Sequence, residues 1–145
     1  MRVSRNFLLQ EFVPKSVFTH FGNKSIWFVD KRIITIAQFF RDYYSKPITI
    51  NDWHIGGKRI LSGFRPPSSI IGAKLSQHKF GRAVDLRWLQ NSMSMDKIRE
   101  DIRSNWNLFK TCGITTIELG TDSWIHADCR QINSDELYEV PFFKK

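Results

Sequence analysis

Apolar residues recur at helical spacing after Asp30. Ile33, Ile36, Ala37, Phe40 and Tyr44 lie three and four apart, and Asp30 stands where an N-cap belongs. The pattern predicts an amphipathic helix of about 14 residues that ends before Pro47. A second helical stripe, Ile98, Ile102, Trp106 and Phe109, predicts a helix from about Met95 to Lys110. Ser94 is its cap and Gly113 its stop. Between the two, Ile48-Thr49-Ile50 and Arg59-Ile60-Leu61-Ser62 read as short strands. Ala83 to Trp88 alternates cleanly, with Val84, Leu86 and Trp88 on one face and Asp85 and Arg87 on the other. Residues 1–29 are aromatic-rich without a clear period. Pro66-Pro67 enforces extended backbone after Arg65, and residues 68–82 read as a loop.

The last strong pattern is a hairpin, Thr115 to Gly120 and Trp124 to Arg130. With Thr121-Asp122-Ser123 as its loop, Glu118 faces His126 and Gly120 faces Trp124. One face then collects Ile117, Leu119, Ile125, Ala127 and Cys129. The other collects Thr116, Glu118, Trp124, His126 and Asp128. A slip of one residue would mix the two sets, so the register is specified. Helix, strands, helix and hairpin predict an α+β fold, a small antiparallel sheet with flanking helices. No repeat or linker divides residues 1–145, which predicts a single domain.

Composition narrows the function classes. The chain is 41% hydrophobic and 25% charged, the balance of a folded domain. It carries 22 Lys+Arg against 14 Asp+Glu, a net charge of +8 that attracts polyanions without choosing among nucleic acid, anionic membrane and wall polymer. No helix carries a dense basic stripe, so nucleic acid is not the expected partner. No apolar run is long enough to span a bilayer, so no stable membrane insertion is expected. Two cysteines, Cys112 and Cys129, are too few for a disulfide scaffold, and Cys129 reads as a small buried residue. The N-terminal apolar patch is interrupted by Glu11 and Pro14. The expectation is synthesis in a cytoplasm without a signal peptide, with action elsewhere.

Two of the four histidines have unusual neighbours. His78 lies in Ser76-Gln77-His78-Lys79-Phe80-Gly81-Arg82-Ala83-Val84-Asp85, and His126 in Trp124-Ile125-His126-Ala127-Asp128-Cys129-Arg130. A fold-back at Gly81 brings His78 and Asp85 to one side of the sheet, and His126 from a neighbouring strand completes three ligands. Three is the count of catalytic zinc sites, because the fourth position stays open for water. His20 and His54 have no such company.

These residues resemble the M15 zinc peptidases, D-alanyl-D-alanine carboxypeptidases and L,D-type peptidoglycan endopeptidases that share a fold with the Hedgehog signalling domain. Ser76, His78, Gly81, Ala83 and Asp85 match the first motif. Trp124 and His126 match the second, with Asp128 and Arg130 fitting one of its variants. Ser62-Gly63-Phe64-Arg65 is similar to the family's Ser-Gly-aromatic-Arg element. The resemblance spans roughly residues 48 to 130. It implies Zn2+ held by His78, Asp85 and His126, and substrate bound by Arg65, Gln77 and Trp124. A general base takes a proton from the attacking water and returns it to the leaving amine. Some members place an acid three residues before the second His, where this chain has Ser123. Glu118 is therefore the first choice of base on the strand pattern, Asp122 the second and Asp128 the third. Asp128 is expected instead to hold a ligand histidine or a neighbouring loop.

The implied activity is hydrolysis of peptide bonds in the peptidoglycan stem peptide, as a phage endolysin or virion-associated lysin acting on the bacterial wall. The alternative is an inactive structural or wall-binding virion module on the same fold.

Overall fold

A computed structural model describes residues 1–142. Helix α1 covers Lys15–Phe21 and α2 covers Lys31–Tyr44. Asp30 caps α2 through a hydrogen bond from the Arg32 N–H. Ile33, Ile36, Ala37 and Phe40 of α2 are buried, as their spacing predicts. The second predicted helix is real but broken. Helix α3 runs Met95–Ser104, α4 runs Trp106–Phe109, and a 3₁₀ turn follows at Lys110–Cys112. The break falls at Asn105, whose side-chain amide bonds back to the Asp101 carbonyl at 3.0 Å and competes with the helical ladder.

Five strands form one sheet: β1 (Ile48–Thr49), β2 (Ala83–Trp88), β3 (Thr116–Leu119), β4 (Ile125–Asp128) and β5 (Tyr138–Pro141), in the order β1-β2-β4-β3-β5. Three pairings are antiparallel, but β5 joins β3 in parallel, so the sheet is mixed rather than antiparallel. Arg59–Ser62 is not a strand. Its polar backbone is satisfied singly: the Ser62 N–H donates to Asn51 Oδ1, and the Ser62 carbonyl accepts from the Asp85 N–H. No ladder forms.

The hairpin pairs Thr116 with Asp128 and Ile117 with Ala127, the register that the apolar and polar sorting specifies. Val84, Leu86, Ile117, Ile125, Ala127 and Cys129 are buried in one core with α2 and α3, through Ile36, Phe40, Ile98 and Ile102. That burial turns one sheet face inward and leaves the other for polar residues. The N-terminal residues are more ordered than their composition suggests. Leu9, Val13 and Val17 form a second apolar cluster with Phe64, and Phe28 stacks on Phe64 with ring centroids 5.3 Å apart. Among the described residues, no helix is long and apolar enough to cross a membrane.

Candidate metal centre

The site is assembled by two tight backbone approaches. Gly63 lies so close to Phe12 that a Cβ there would come within 2.3 Å of the Phe12 carbonyl oxygen. The neighbouring Phe64 N–H donates to that same oxygen at 2.8 Å. This anchors the Gly63 carbonyl under His78. Gly81 has φ +68°, and a Cβ there would meet the Phe28 carbonyl oxygen at 1.9 Å. Only glycine tolerates both the left-handed conformation and that contact. Gly81 closes the 3₁₀ turn Gln77–Phe80 and turns the chain into β2, so His78 and Asp85 meet despite seven intervening steps.

His78, Asp85 and His126 converge and are buried. His78 Nε2 lies 3.2 Å from His126 Nδ1 and 3.2 Å from Asp85 Oδ1, and His126 Nδ1 lies 3.1 Å from Asp85 Oδ1. The sheet register explains it, since Asp85 on β2 pairs directly with His126 on β4. The three donor atoms form a nearly equilateral triangle. Ligands at about 2.0–2.1 Å from a tetrahedral zinc ion stand about 3.3 Å from one another, so the triangle has the size of one face of that tetrahedron.

The opposite side of each ring is tethered. His78 Nδ1 donates to the Gly63 carbonyl at 2.8 Å, which leaves the Nε2 lone pair facing the centre. His126 Nε2 donates to Asp128 Oδ2 at 2.9 Å, which turns Nδ1 toward the centre. Asp128 is fully buried and is held by Arg130 at 2.9 Å and 2.5 Å. This is how ligand histidines are oriented in metal sites. Asp85 divides its carboxylate. Oδ1 faces the imidazoles, and Oδ2 accepts from Arg65 at 3.2 Å.

Electrostatics follow from the packing. Burial works against a charge on Asp85, but His78 and His126 outweigh it and hold the carboxyl far below its ordinary range. Burial likewise opposes protonation of His126, yet its hydrogen bonds to Asp128 and Asp85 prevail and push it up to about 10. Burial pushes His78 down. The raised His126 and lowered Asp85 favour a charged imidazole beside a carboxylate, along the 3.1 Å contact between Nδ1 and Oδ1. A cation belongs there, and the donor set of two imidazoles and one carboxylate can chelate a divalent metal ion.

The other predicted residues are distributed around this centre. Glu118 is half-buried on β3, and its charge acts on His126, Arg65 and Arg130. Arg65 is engaged with Asp85 and with the Leu61 carbonyl at 2.8 Å. Trp124 packs edge-on against Phe142 at 5.5 Å and lies under the guanidinium of Arg87 at 4.9 Å. Gln77 is half-buried beside His78, with its Oε1 buried and without a hydrogen-bond partner. Asp122 is exposed in the hairpin loop, and Ser123 accepts a hydrogen bond from Arg87 at 3.1 Å. His20 and His54 stand outside the cluster.

Two supporting residues escape the sequence reading. Arg99 of α3 is buried and donates to the Glu118 carbonyl at 3.1 Å and the Thr121 carbonyl at 2.6 Å, gripping the hairpin from behind. A charged residue in a helical stripe gives no sign that it is buried. Gly63 contributes through its carbonyl, which no side-chain pattern reveals.

The sequence matches no protein-family model, and neither a curated protein nor a solved structure is detectably similar to it. The metal centre therefore stands on its own geometry.

Proposed function

We propose that this protein is a zinc metallopeptidase that hydrolyses peptide bonds of the peptidoglycan stem peptide. The observation that carries the reading is the donor triangle: His78 Nε2, Asp85 Oδ1 and His126 Nδ1 lie 3.1–3.2 Å apart. The motif order that resembles the M15 peptidases supports the substrate class, and residues 1–145 then form one peptidase domain of Hedgehog-like fold. The product is a cut wall, whether the enzyme is a free endolysin or rides on a phage particle.

A bound zinc ion supplies Lewis acidity, which acidifies water and polarises a carbonyl. The chain supplies the rest. His78, Asp85 and His126 would hold the ion, and Gly63, Asp128 and Arg65 hold those three. Glu118, on the strand beside His126, takes a proton from the attacking water and returns it to the leaving amine. Arg65 offers positive charge where the carbonyl oxygen becomes negative. Trp124 and Gln77 wall the substrate, and the net charge of +8 favours approach to an anionic wall polymer.

Metal analysis and digestion of purified sacculi test this together. The expected result is about one zinc per chain and release of new amines that a chelator abolishes. Zinc binding without cleavage of any wall preparation would leave a binding module on the same fold, the reading that Ser123 keeps open.

A further inference from the structure

We propose that the loop of residues 66–76 docks the protein on an anionic lipid bilayer, as a peripheral anchor beside the metal centre. Docking of this kind is independent of the peptidase reading, because it concerns where the protein sits and not what it cuts.

Residues 70–75 are exposed without a break, and three of them are large and aliphatic. Ile70 is 92% exposed, Leu75 71% and Ile71 52%. Single exposed aliphatics are ordinary on a protein surface, but three so close together form a patch that calls for a partner. The loop is built rather than slack. Pro66-Pro67 stiffen its start. The Ser69 N–H donates to the Pro66 carbonyl at 2.9 Å, the Ile71 N–H to Ser69 Oγ at 3.2 Å, and the Ser76 N–H to the Ala73 carbonyl at 3.1 Å. Gly72 packs on Arg65, where a Cβ would come within 2.6 Å of Nη1. Turns that satisfy their own backbone lower the cost of placing a loop in a lipid interface.

The surrounding charge says what covers the patch. Residues 53–84 hold Lys58, Arg59, Arg65, Lys74, Lys79 and Arg82 and no Asp or Glu, so this stretch alone contributes +6 of the chain's +8. The acids that bracket it are engaged, Asp52 by Arg59 and Asp85 by Arg65. Lys58, Lys74 and Lys79 make no ion pair with any described residue. A purely ionic partner, such as a nucleic acid or a wall polymer, would meet the lysines and leave the aliphatic side chains in water. A second copy of the chain would set like charge against like charge. An anionic bilayer satisfies both features, with headgroups at the lysines and acyl chains around Ile70, Ile71 and Leu75. Such an anchor enters only the boundary of headgroups and acyl chains, so it needs no spanning helix.

Both ends of the loop are fastened at the metal centre, through Arg65 on Asp85 and through His78 itself. Ile71 is seven residues from His78, which is at most about 25 Å of extended chain. Docking therefore holds the metal centre close to the bilayer face.

Co-sedimentation of the full chain with lipid vesicles tests the anchor. Binding to mixed phosphatidylglycerol–phosphatidylcholine vesicles is expected to exceed binding to pure phosphatidylcholine vesicles by about tenfold or more. The I70S/I71S/L75S variant and the K74Q/K79Q variant are each expected to weaken it by about tenfold, with melting temperature and zinc stoichiometry unchanged. No sedimentation with either vesicle, or equal sedimentation with both, overturns the proposal. So does an I70S/I71S/L75S variant that binds like wild type, which would leave a surface for soluble polyanions. A self-association that this triple variant abolishes, without vesicle binding, also overturns it and gives the loop to a second copy. None of these outcomes bears on cleavage of sacculi, so the peptidase reading stands or falls separately.

Discussion

His126 Nε2 and Asp128 Oδ2 lie 2.9 Å apart on the same strand, two residues from one another. Alternation on β4 puts both side chains on the polar face, and the contact leaves His126 only one nitrogen with which to hold a metal. Asp128 is in turn clamped by Arg130. Replacing Asp128 by Asn keeps the shape and weakens the orienting bond. D128N is expected to lose about 10–100-fold in zinc affinity, measured by competition with a chelator. An unchanged affinity would mean that packing alone orients the ring.

The stability of the metal-free protein is expected to depend on pH. His126 is pushed up to about 10 in the folded state against an ordinary value of 6.5, because its bonds to Asp128 and Asp85 overcome burial. Folding therefore binds a proton more tightly there. The stabilisation is complete below about pH 6.5 and disappears as the pH rises through about 10. Asp85 acts oppositely, since its lowered pKa stabilises the fold above its ordinary 3.8 and loses that effect as the pH falls. Thermal melting of the metal-free form is expected to be highest between these limits. A metal ion held by Nδ1 would displace the His126 proton, so a zinc-loaded form is expected to keep its melting temperature from pH 7 to 9. Binding near pH 7 should release close to one proton, which calorimetry in buffers of different ionisation enthalpy measures. Zinc uptake without proton release would contradict the assignment of that proton.

Glu118 and Asp122 separate on hydrolysis. E118Q is expected to retain zinc and lose about 10²–10⁴-fold in amine release from sacculi, while D122N stays near wild type. Asp122 is exposed in the loop, whereas the charge of Glu118 reaches His126 and Arg65. The reverse pattern would move the base to Asp122 and leave the metal centre as described.

Gly81→Ala tests the turn that brings His78 to Asp85. The added carbon would sit 1.9 Å from the Phe28 carbonyl oxygen at a φ of +68°. The expected cost is about 2 kcal/mol or more in denaturant unfolding, with weakened zinc binding. Wild-type stability in this variant would show that the turn relaxes freely.

Arg99→Met tests the support behind the hairpin. The buried guanidinium holds the Glu118 and Thr121 carbonyls, and removal leaves both without that donor. A loss of about 2–4 kcal/mol is expected, seen as a lower urea midpoint. A change within about 0.5 kcal/mol would mean that water replaces the donor at no cost.

What the sequence revealed and what it hid have physical causes. The hairpin register was readable because apolar Ile117, Ile125, Ala127 and Cys129 must share one face, so Glu118, His126 and Asp128 take the other. The convergence of His78 and Asp85 was readable from Gly81, whose backbone freedom permits the fold-back. Strand β5 was not readable. It is four residues long, ends in Pro141 and pairs in parallel with β3, a pairing between distant segments that leaves no turn signal. Arg59–Ser62 had strand-like composition, yet its partners are isolated groups on Asn51 and Asp85, so propensity yielded to tertiary context. The break at Asn105 was masked because Ile98, Ile102 and Phe109 are buried on both sides of it. The pairing states of the arginines were equally hidden, since charge along a chain does not say which guanidinium finds an aspartate.

The divided carboxylate of Asp85 bears on metal selectivity. Arg65 occupies Oδ2, so Asp85 offers a single oxygen inward. Calcium prefers six to eight oxygens, often from bidentate carboxylates, and magnesium an octahedron rich in water. A cage with two imidazole nitrogens and one oxygen serves neither. It suits a divalent transition-metal ion that accepts nitrogen ligands, and the grip of one arginine keeps the carboxylate to a single inward oxygen.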